Sequence, residues 1–231
     1  MKRFWDPLIQ PIFNMIRPKV IVEIGCADGL NTANLLRYCE ATDSKLICID
    51  PAPMFNVQKA NEAYGDRFEF IRDLSLTALK TIKHCDVVLI DGDHNWYTVF
   101  HELKMIDAME RFPLVFEHDI EWPYGRRDMY YNPASIPEAY RKPYSSLGVL
   151  PGVKEVVPGG VNHRHNNALY EHGEKNGVLT AIEDFLADTK RNIQLHRVSS
   201  HFGLGVLLEV ATEADELLNK RIAKLIHNSK L

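Results

Sequence analysis

Five short apolar runs divide the first half of the chain, each followed by a segment with helical spacing, and this alternation restricts the fold more than any other feature. The runs are Val20–Ile24, Leu46–Asp50, Phe68–Ile71, Val87–Asp91 and Leu114–Phe116. Strands this uniformly apolar are buried on both faces, and a β-α-β-α order buries them beneath helices on both sides of a parallel sheet. Between the first two runs, Leu35, Leu36 and Cys39 mark the inner face of a helix beginning near Asn31 or Thr32, either of which could cap it. Helical spacing returns at Gly177–Lys190. Ile193–Val198 and Phe202–Val210 read as a terminal antiparallel strand pair, and Glu213–His227 as a closing helix. Its stripe of Leu217, Leu218, Ile222 and Leu225 is read as core packing, with a homo-oligomer contact as the lesser alternative.

With 231 residues, 45% of them hydrophobic, the chain can bury one substantial core, so a single domain over residues 1–231 is expected. It carries an insertion over about 122–170. Six of the twelve prolines and five of the nine tyrosines fall within 122–158, too aromatic for a solvated linker, and the segment is read as a lid. A formal net charge of −4 offers no footprint for a nucleic acid backbone, and no run reaches the length of a membrane span. Cys26, Cys39, Cys48 and Cys85 form no CxxC pair and read as reduced core residues, so a cytoplasmic protein is expected.

In a parallel sheet, ligands bind at the carboxyl ends of the strands, and the first strand–helix turn commonly receives the cofactor. Here that turn reads EIGCADGLNT, Glu23 to Thr32. A dinucleotide fingerprint aligned on Gly25 requires glycine where the chain has Ala27 and Leu30, and a phosphate loop requires a lysine that is absent. The spacing E-x-G-x-x-x-G resembles instead motif I of the class I S-adenosylmethionine (SAM) methyltransferases. The resemblance covers roughly residues 18–120 and rests on the order of four strand-end motifs. It implies an α/β, Rossmann-like, doubly wound, mostly parallel sheet with a C-terminal antiparallel pair and a lid insertion after the fifth strand. It further implies that Gly25 and Gly29 admit the cofactor's amino-acid and ribose portion, that Asp50 accepts from the ribose hydroxyls, and that Asp73, Leu74 and Ser75 meet the adenine. Glu23, Cys26, Asn31, Thr32, Pro51 and Asp91 complete the implied cofactor contacts.

The fourth run ends in Asp91-Gly92-Asp93-His94 within DGDHNWYTVFHEL, which is similar to the DGDHxYxxVxxDL pattern of metal-dependent small-molecule and sugar O-methyltransferases and of cephalosporin-hydroxylase-like proteins. Trp96 stands in the tyrosine slot and Glu102 in the late aspartate slot. The fifth run leads into Glu117-His118-Asp119, similar to the FHD ending of the same group, although the expected KPGG turn before it is replaced by ERFP. The resemblance implies a divalent ion, magnesium or manganese, on Asp91, His118 and Asp119, with His94 as catalytic base and Asp93 supporting it or sharing the role. A neutral histidine can take the proton of an attacking hydroxyl, and a cation on the same oxygen lowers its pKa. The expected partner is a small-molecule or sugar hydroxyl acceptor. In the insertion, Trp122 and the tyrosines could stack on a ring while Arg126 and Arg127 pair with an anion. His163, His165 and His172 raise a zinc alternative. Two rivals stay open: a non-catalytic SAM-binding scaffold, and an oxygenase holding iron in the His/Asp cluster.

Overall fold

The computed structural model describes residues 1–229 and 231. After a helical N-terminal segment ending in α1 (Gln10–Ile16), the chain alternates β1 (Val20–Ile24), α2 (Leu30–Thr42), β2 (Lys45–Ile49), α3 (Val57–Tyr64), β3 (Phe68–Ile71), α4 (Ser75–Ala78), β4 (Val87–Ile90), α5 (Trp96–Asp107) and β5 (Leu114–His118). The insertion contributes β6 (Met129–Tyr130), β7 (Tyr144–Ser145) and β8 (Asn166–Ala168). The chain then closes with α6 (Val178–Asp188), β9 (Ile193–Val198), β10 (Leu204–Glu209) and α7 (Glu213–Ser229). The main sheet has the order β3-β2-β1-β4-β5-β10-β9. β1 to β5 run parallel, while β10 is antiparallel to both neighbours.

Successive strand residues point to opposite faces, and both faces are covered, so each strand is apolar throughout. Val22, Ile24, Val88, Ile90 and Val115 meet Val99, Leu103 and Ile106 of α5 and Ile182 and Phe185 of α6. Ile21, Leu46, Val87, Leu89 and Phe116 meet Leu35 and Cys39 of α2, Phe13 of α1 and Ile222 of α7. All four cysteines are buried and free, as expected. In α7, Leu218 and Leu225 flank the buried Ile222, but Leu217 of the expected stripe is exposed.

Register brings the strand ends to one edge. Ile24 lies opposite both Ile49 and Ile90, and Ile90 lies opposite Glu117. Gly25, Asp50 and Asp91 are therefore the next residues to leave adjacent strands, His118 ends β5 beside them, and the order of winding reverses between β1 and β4, the place where such sheets commonly bind ligands.

The insertion does not extend the main sheet. It builds its own three-stranded antiparallel sheet, β6-β8-β7, which the aromatic, proline-rich sequence does not announce. Arg127, fully buried, donates to the carbonyls of Ala168 and Lys154, both at 2.6 Å. Arg126 grips Glu183 of α6 through two hydrogen bonds, at 2.6 and 2.7 Å. The anion-binding expectation for these arginines is thus corrected: their donors hold the insertion in place.

Candidate active site

The first strand–helix turn depends on backbone shapes that only glycine adopts easily. Gly25 has φ +81, and a Cβ there would lie 2.3 Å from the Asp91 carbonyl oxygen. Gly29 has φ +76 and is itself the N-cap of α2, with a would-be Cβ 2.8 Å from the Phe55 ring. Asn31 and Thr32 therefore do not cap the helix, which begins at Leu30. Their side chains turn inward: Asn31 Nδ2 donates to Glu23 Oε1 (2.7 Å) and Thr32 Oγ1 to Glu23 Oε2 (2.6 Å). Cys48 Sγ also approaches Glu23, at 3.3 Å. Burial raises the pKa of Glu23 against these three donors. Glu23 thus braces the turn from beneath.

Asp50 performs a similar service. Its Oδ2 accepts from the Cys26 and Ala27 N–H groups (2.8 and 3.0 Å) and its Oδ1 from Ala52 N–H (2.7 Å). A carboxylate has about four lone-pair sites, so three protein donors leave room for one more. Asp73 Oδ1 accepts from the Leu74 amide at 2.7 Å, Leu74 is exposed, and Ser75 opens α4. The cradle suits a bulky polar cofactor on two counts: glycine replaces side chains where the backbones nearly touch, and Asn31 Oδ1 is buried with no hydrogen-bond partner.

Next to this turn, four sequence-predicted residues converge. His94 Nε2 lies 3.3 Å from Asp119 Oδ2, and His118 Nδ1 lies 3.0 Å from Asp91 Oδ1 and 3.4 Å from Asp119 Oδ2. The His118 contacts are ionic: no well-aligned hydrogen bond forms at its Nδ1. Burial alone would lower the His118 pKa, but Asp119 and Asp91 outweigh it and push the imidazole up to about 9. Burial would raise Asp91, yet His118 holds it well below the usual carboxylate range. Oxygen or nitrogen atoms of Asp91, His94 and Asp119 all lie within 4.8 Å of one another and could hold a cation. Two carboxylates and one imidazole suit manganese or another transition ion better than magnesium, which prefers an all-oxygen shell. His118, the expected ligand, faces two of these acids, and His94, the expected base, belongs to the converging trio.

Asp93 turns away from the trio toward Thr98, whose hydroxyl it accepts at 3.3 Å, and burial raises its pKa. His94 does not cap α5; Asn95 does, accepting from Thr98 N–H at 2.9 Å. Sequence reasoning passed over that asparagine, although an Asn three residues before Thr98 is the ordinary signal of such a cap. Two further groups have surroundings that their sequence motifs did not reveal. Tyr124 lies parallel to His94, ring centroids 5.6 Å apart, and exposed Tyr131 lies 6.1 Å away. Glu102 and Glu117 are buried between α5 and the sheet. Neither Glu102 oxygen has an aligned partner, although Ser75 lies beside it, and burial pushes its pKa up to about 8. Burial raises Glu117 well above the carboxylate range, with Glu102 and Asp91 adding to the effect. Among the described residues, His163, His165 and His172 join no metal-ligating group. Two cavities lie at the opposite edge of the sheet; one, of about 520 Å³, is lined by Asn14, Arg17, Lys19, Tyr38 and Thr42.

A family model described as a methyltransferase domain matches residues 22–113, the span from β1 to the start of β5. No curated protein matches the chain. Several solved structures share its fold at low sequence identity. The Burkholderia thailandensis 1,6-didemethyltoxoflavin-N1-methyltransferase, bound to its substrate and S-adenosylhomocysteine (SAH), is 14% identical with a TM-score of 0.54, covering 91% of this chain and 80% of that one. The SAH-bound Podospora anserina methyltransferase PaMTH1 is 17% identical with a TM-score of 0.53, covering 87% and 76%. The Streptomyces achromogenes O-methyltransferase TomG, in complex with SAM, is 11% identical with a TM-score of 0.50, covering 89% and 79%. The matched segment carries a methyltransferase-domain pattern, and the whole chain has the Rossmann-like fold of these structures. Among the described residues no helix is long and apolar enough to cross a membrane.

Proposed function

We propose that the protein transfers the methyl group of SAM to a hydroxyl of a small molecule or sugar, with His94 as general base. The observation that carries this reading is the buried His94 imidazole 3.3 Å from Asp119, at the strand edge where the glycine turn backs onto Asp91. SAM held by the turn supplies an electrophilic methyl group. An acceptor hydroxyl beside His94 gives its proton to the imidazole as it attacks, and Asp119 fixes the ring from 3.3 Å. Asp91 and His118 keep a charged pair beside the reaction, while Tyr131 offers an exposed aromatic face to the acceptor. Asp93, turned toward Thr98, supports the corner.

For the cofactor, Gly25, Cys26, Gly29, Asn31, Thr32, Pro51, Asp73, Leu74 and Ser75 line the approach, Asp50 offers its remaining acceptor site, and Glu23 braces the turn. A divalent cation on Asp91, His94 and Asp119 would lower the acceptor's pKa and orient its oxygen. On that second reading His94 is a ligand, and His118 reports the charge of the two acids.

The two readings separate by experiment. With His94 as base, His94→Ala keeps SAH affinity in calorimetry while turnover of a radiolabelled methyl group falls by about 10²–10⁴-fold; unchanged turnover removes His94 from the mechanism. With a metal, chelator-treated enzyme loses activity that magnesium or manganese restores, and His94→Ala weakens manganese binding as well. A folded protein that binds SAH but transfers no methyl group to any hydroxyl acceptor would support the scaffold rival instead.

A further inference from the structure

Asp128 lies in the insertion, is fully buried, and matches none of the strand-end motifs. Its Oδ1 accepts from the Trp96 and Gly177 N–H groups, both at 2.7 Å. Its Oδ2 accepts from the Tyr130 hydroxyl at 2.8 Å, and its own N–H donates to Asn176 Oδ1 at 2.8 Å. Trp96 is the first residue of α5 and Gly177 the N-cap of α6, so a single carboxylate serves the N-termini of two helices, where free amides and the helix dipole favour an anion. Gly177 makes this convergence possible: its φ is +94, and a Cβ there would lie 2.5 Å from the Arg127 amide nitrogen.

The neighbouring residues extend the grip to the catalytic corner. Met129 N–H donates to the His94 carbonyl at 2.9 Å, while Asp128 takes the amide two residues further on. Over the same residue, the Tyr124 ring lies parallel to the imidazole, and its hydroxyl is held by Asn162 (2.7 Å) and Asn167 (3.1 Å). The insertion therefore contacts His94 through backbone and ring at once. A lid that merely covered the site would need none of the backbone contacts.

We propose that Asp128 is a positioning residue for methyl transfer: by accepting from the amides that open α5 and α6 with one carboxylate while Met129 holds the His94 carbonyl, it fixes the backbone that carries His94. The proposal rests on the reading of His94 as base, and its decisive tests need no acceptor. Asp128→Asn keeps Oδ1 as acceptor for both helix amides and removes the charge, whereas Asp128→Ala removes the acceptor. Amide hydrogen exchange over residues 94–98 and 177–180, the His94 imidazole NMR signals and SAH affinity by calorimetry are compared with those of the unsubstituted protein. In Asp128→Ala, exchange at 94–98 quickens by about tenfold or more and the His94 ring signals move, while SAH affinity holds. In Asp128→Asn all three stay as in the unsubstituted protein.

Unchanged exchange and ring signals in Asp128→Ala would overturn the proposal. So would a folded Asp128→Asn variant with exchange as fast as in Asp128→Ala, because the charge and not the acceptor would then matter. Should Asp128→Ala not fold, Asp128→Asn decides alone, since quickened exchange or displaced His94 signals there contradict an acceptor role that Asn preserves. If His94→Ala retained full turnover, the base assignment would fail while these exchange differences stood, so the two failures are distinguishable.

Discussion

Gly25 shows how narrow the tolerance of the first strand–helix turn is. A methyl group added there would lie 2.3 Å from the Asp91 carbonyl in a backbone conformation already costly for other residues. Gly25→Ala should therefore weaken SAH binding measured by calorimetry and lower stability by roughly 1–3 kcal/mol in denaturant titration. Glu102 makes a different point. It is buried with its carboxyl unpartnered and its pKa pushed up to about 8, whereas in the unfolded chain it ionises near 4.5. Folding takes up its proton, so its contribution is fully present below about pH 4.5 and is lost as pH rises through about 8. Glu102→Gln should remove that loss: its denaturant midpoint falls less than that of the unsubstituted protein between pH 6 and pH 9, and equal slopes would contradict the assignment. The sequence showed Glu102 only as a departure from an aspartate slot. Its isolation depends on what α5 packs against.

Helix and strand boundaries divide cleanly by the kind of signal that sets them. The strands were legible because apolar runs covered on both faces have no other stable arrangement, and the observed ends differ from expectation by one or two residues. Caps were less legible, because several polar residues compete for one position and tertiary contacts choose among them. Asn31 and Thr32 looked like caps for α2, but a buried Glu23 claims both side chains, and Gly29 takes the N-cap in a left-handed conformation. At α5 the cap is Asn95, whose side-chain Oδ1 accepts from Thr98 N–H. Asn95→Ala should cost about 1 kcal/mol, measured as a shift of the denaturation midpoint, with SAH affinity unchanged.

For the molecule as a whole, the insertion is the element that sequence described least well. Its prolines and tyrosines suggested a cover, yet it is a small sheet pinned from inside by Arg127 and Tyr124. Tyr124→Phe keeps the ring over His94 and removes both hydroxyl links. It should speed amide exchange through residues 162–168 and lower the melting temperature by a few degrees, about 1 kcal/mol of stability for a lost hydrogen-bond pair. Exchange unchanged there would mean that the ring, not the hydroxyl, holds the insertion.

The sequence alone determined the parallel sheet and the edge on which the site lies, because strand periodicity and glycine spacing are local properties that neighbouring residues enforce. It also named Asp91, His94, His118 and Asp119, through strand-end motifs that resemble those of the metal-dependent methyltransferases. Only the tertiary structure decided which of these groups face one another, that Asp50 spends most of its carboxylate on the turn, and that Asp128, distant in sequence, holds the backbone beside His94. Those are contacts between segments far apart in the chain, set by register and packing, and no local pattern records them.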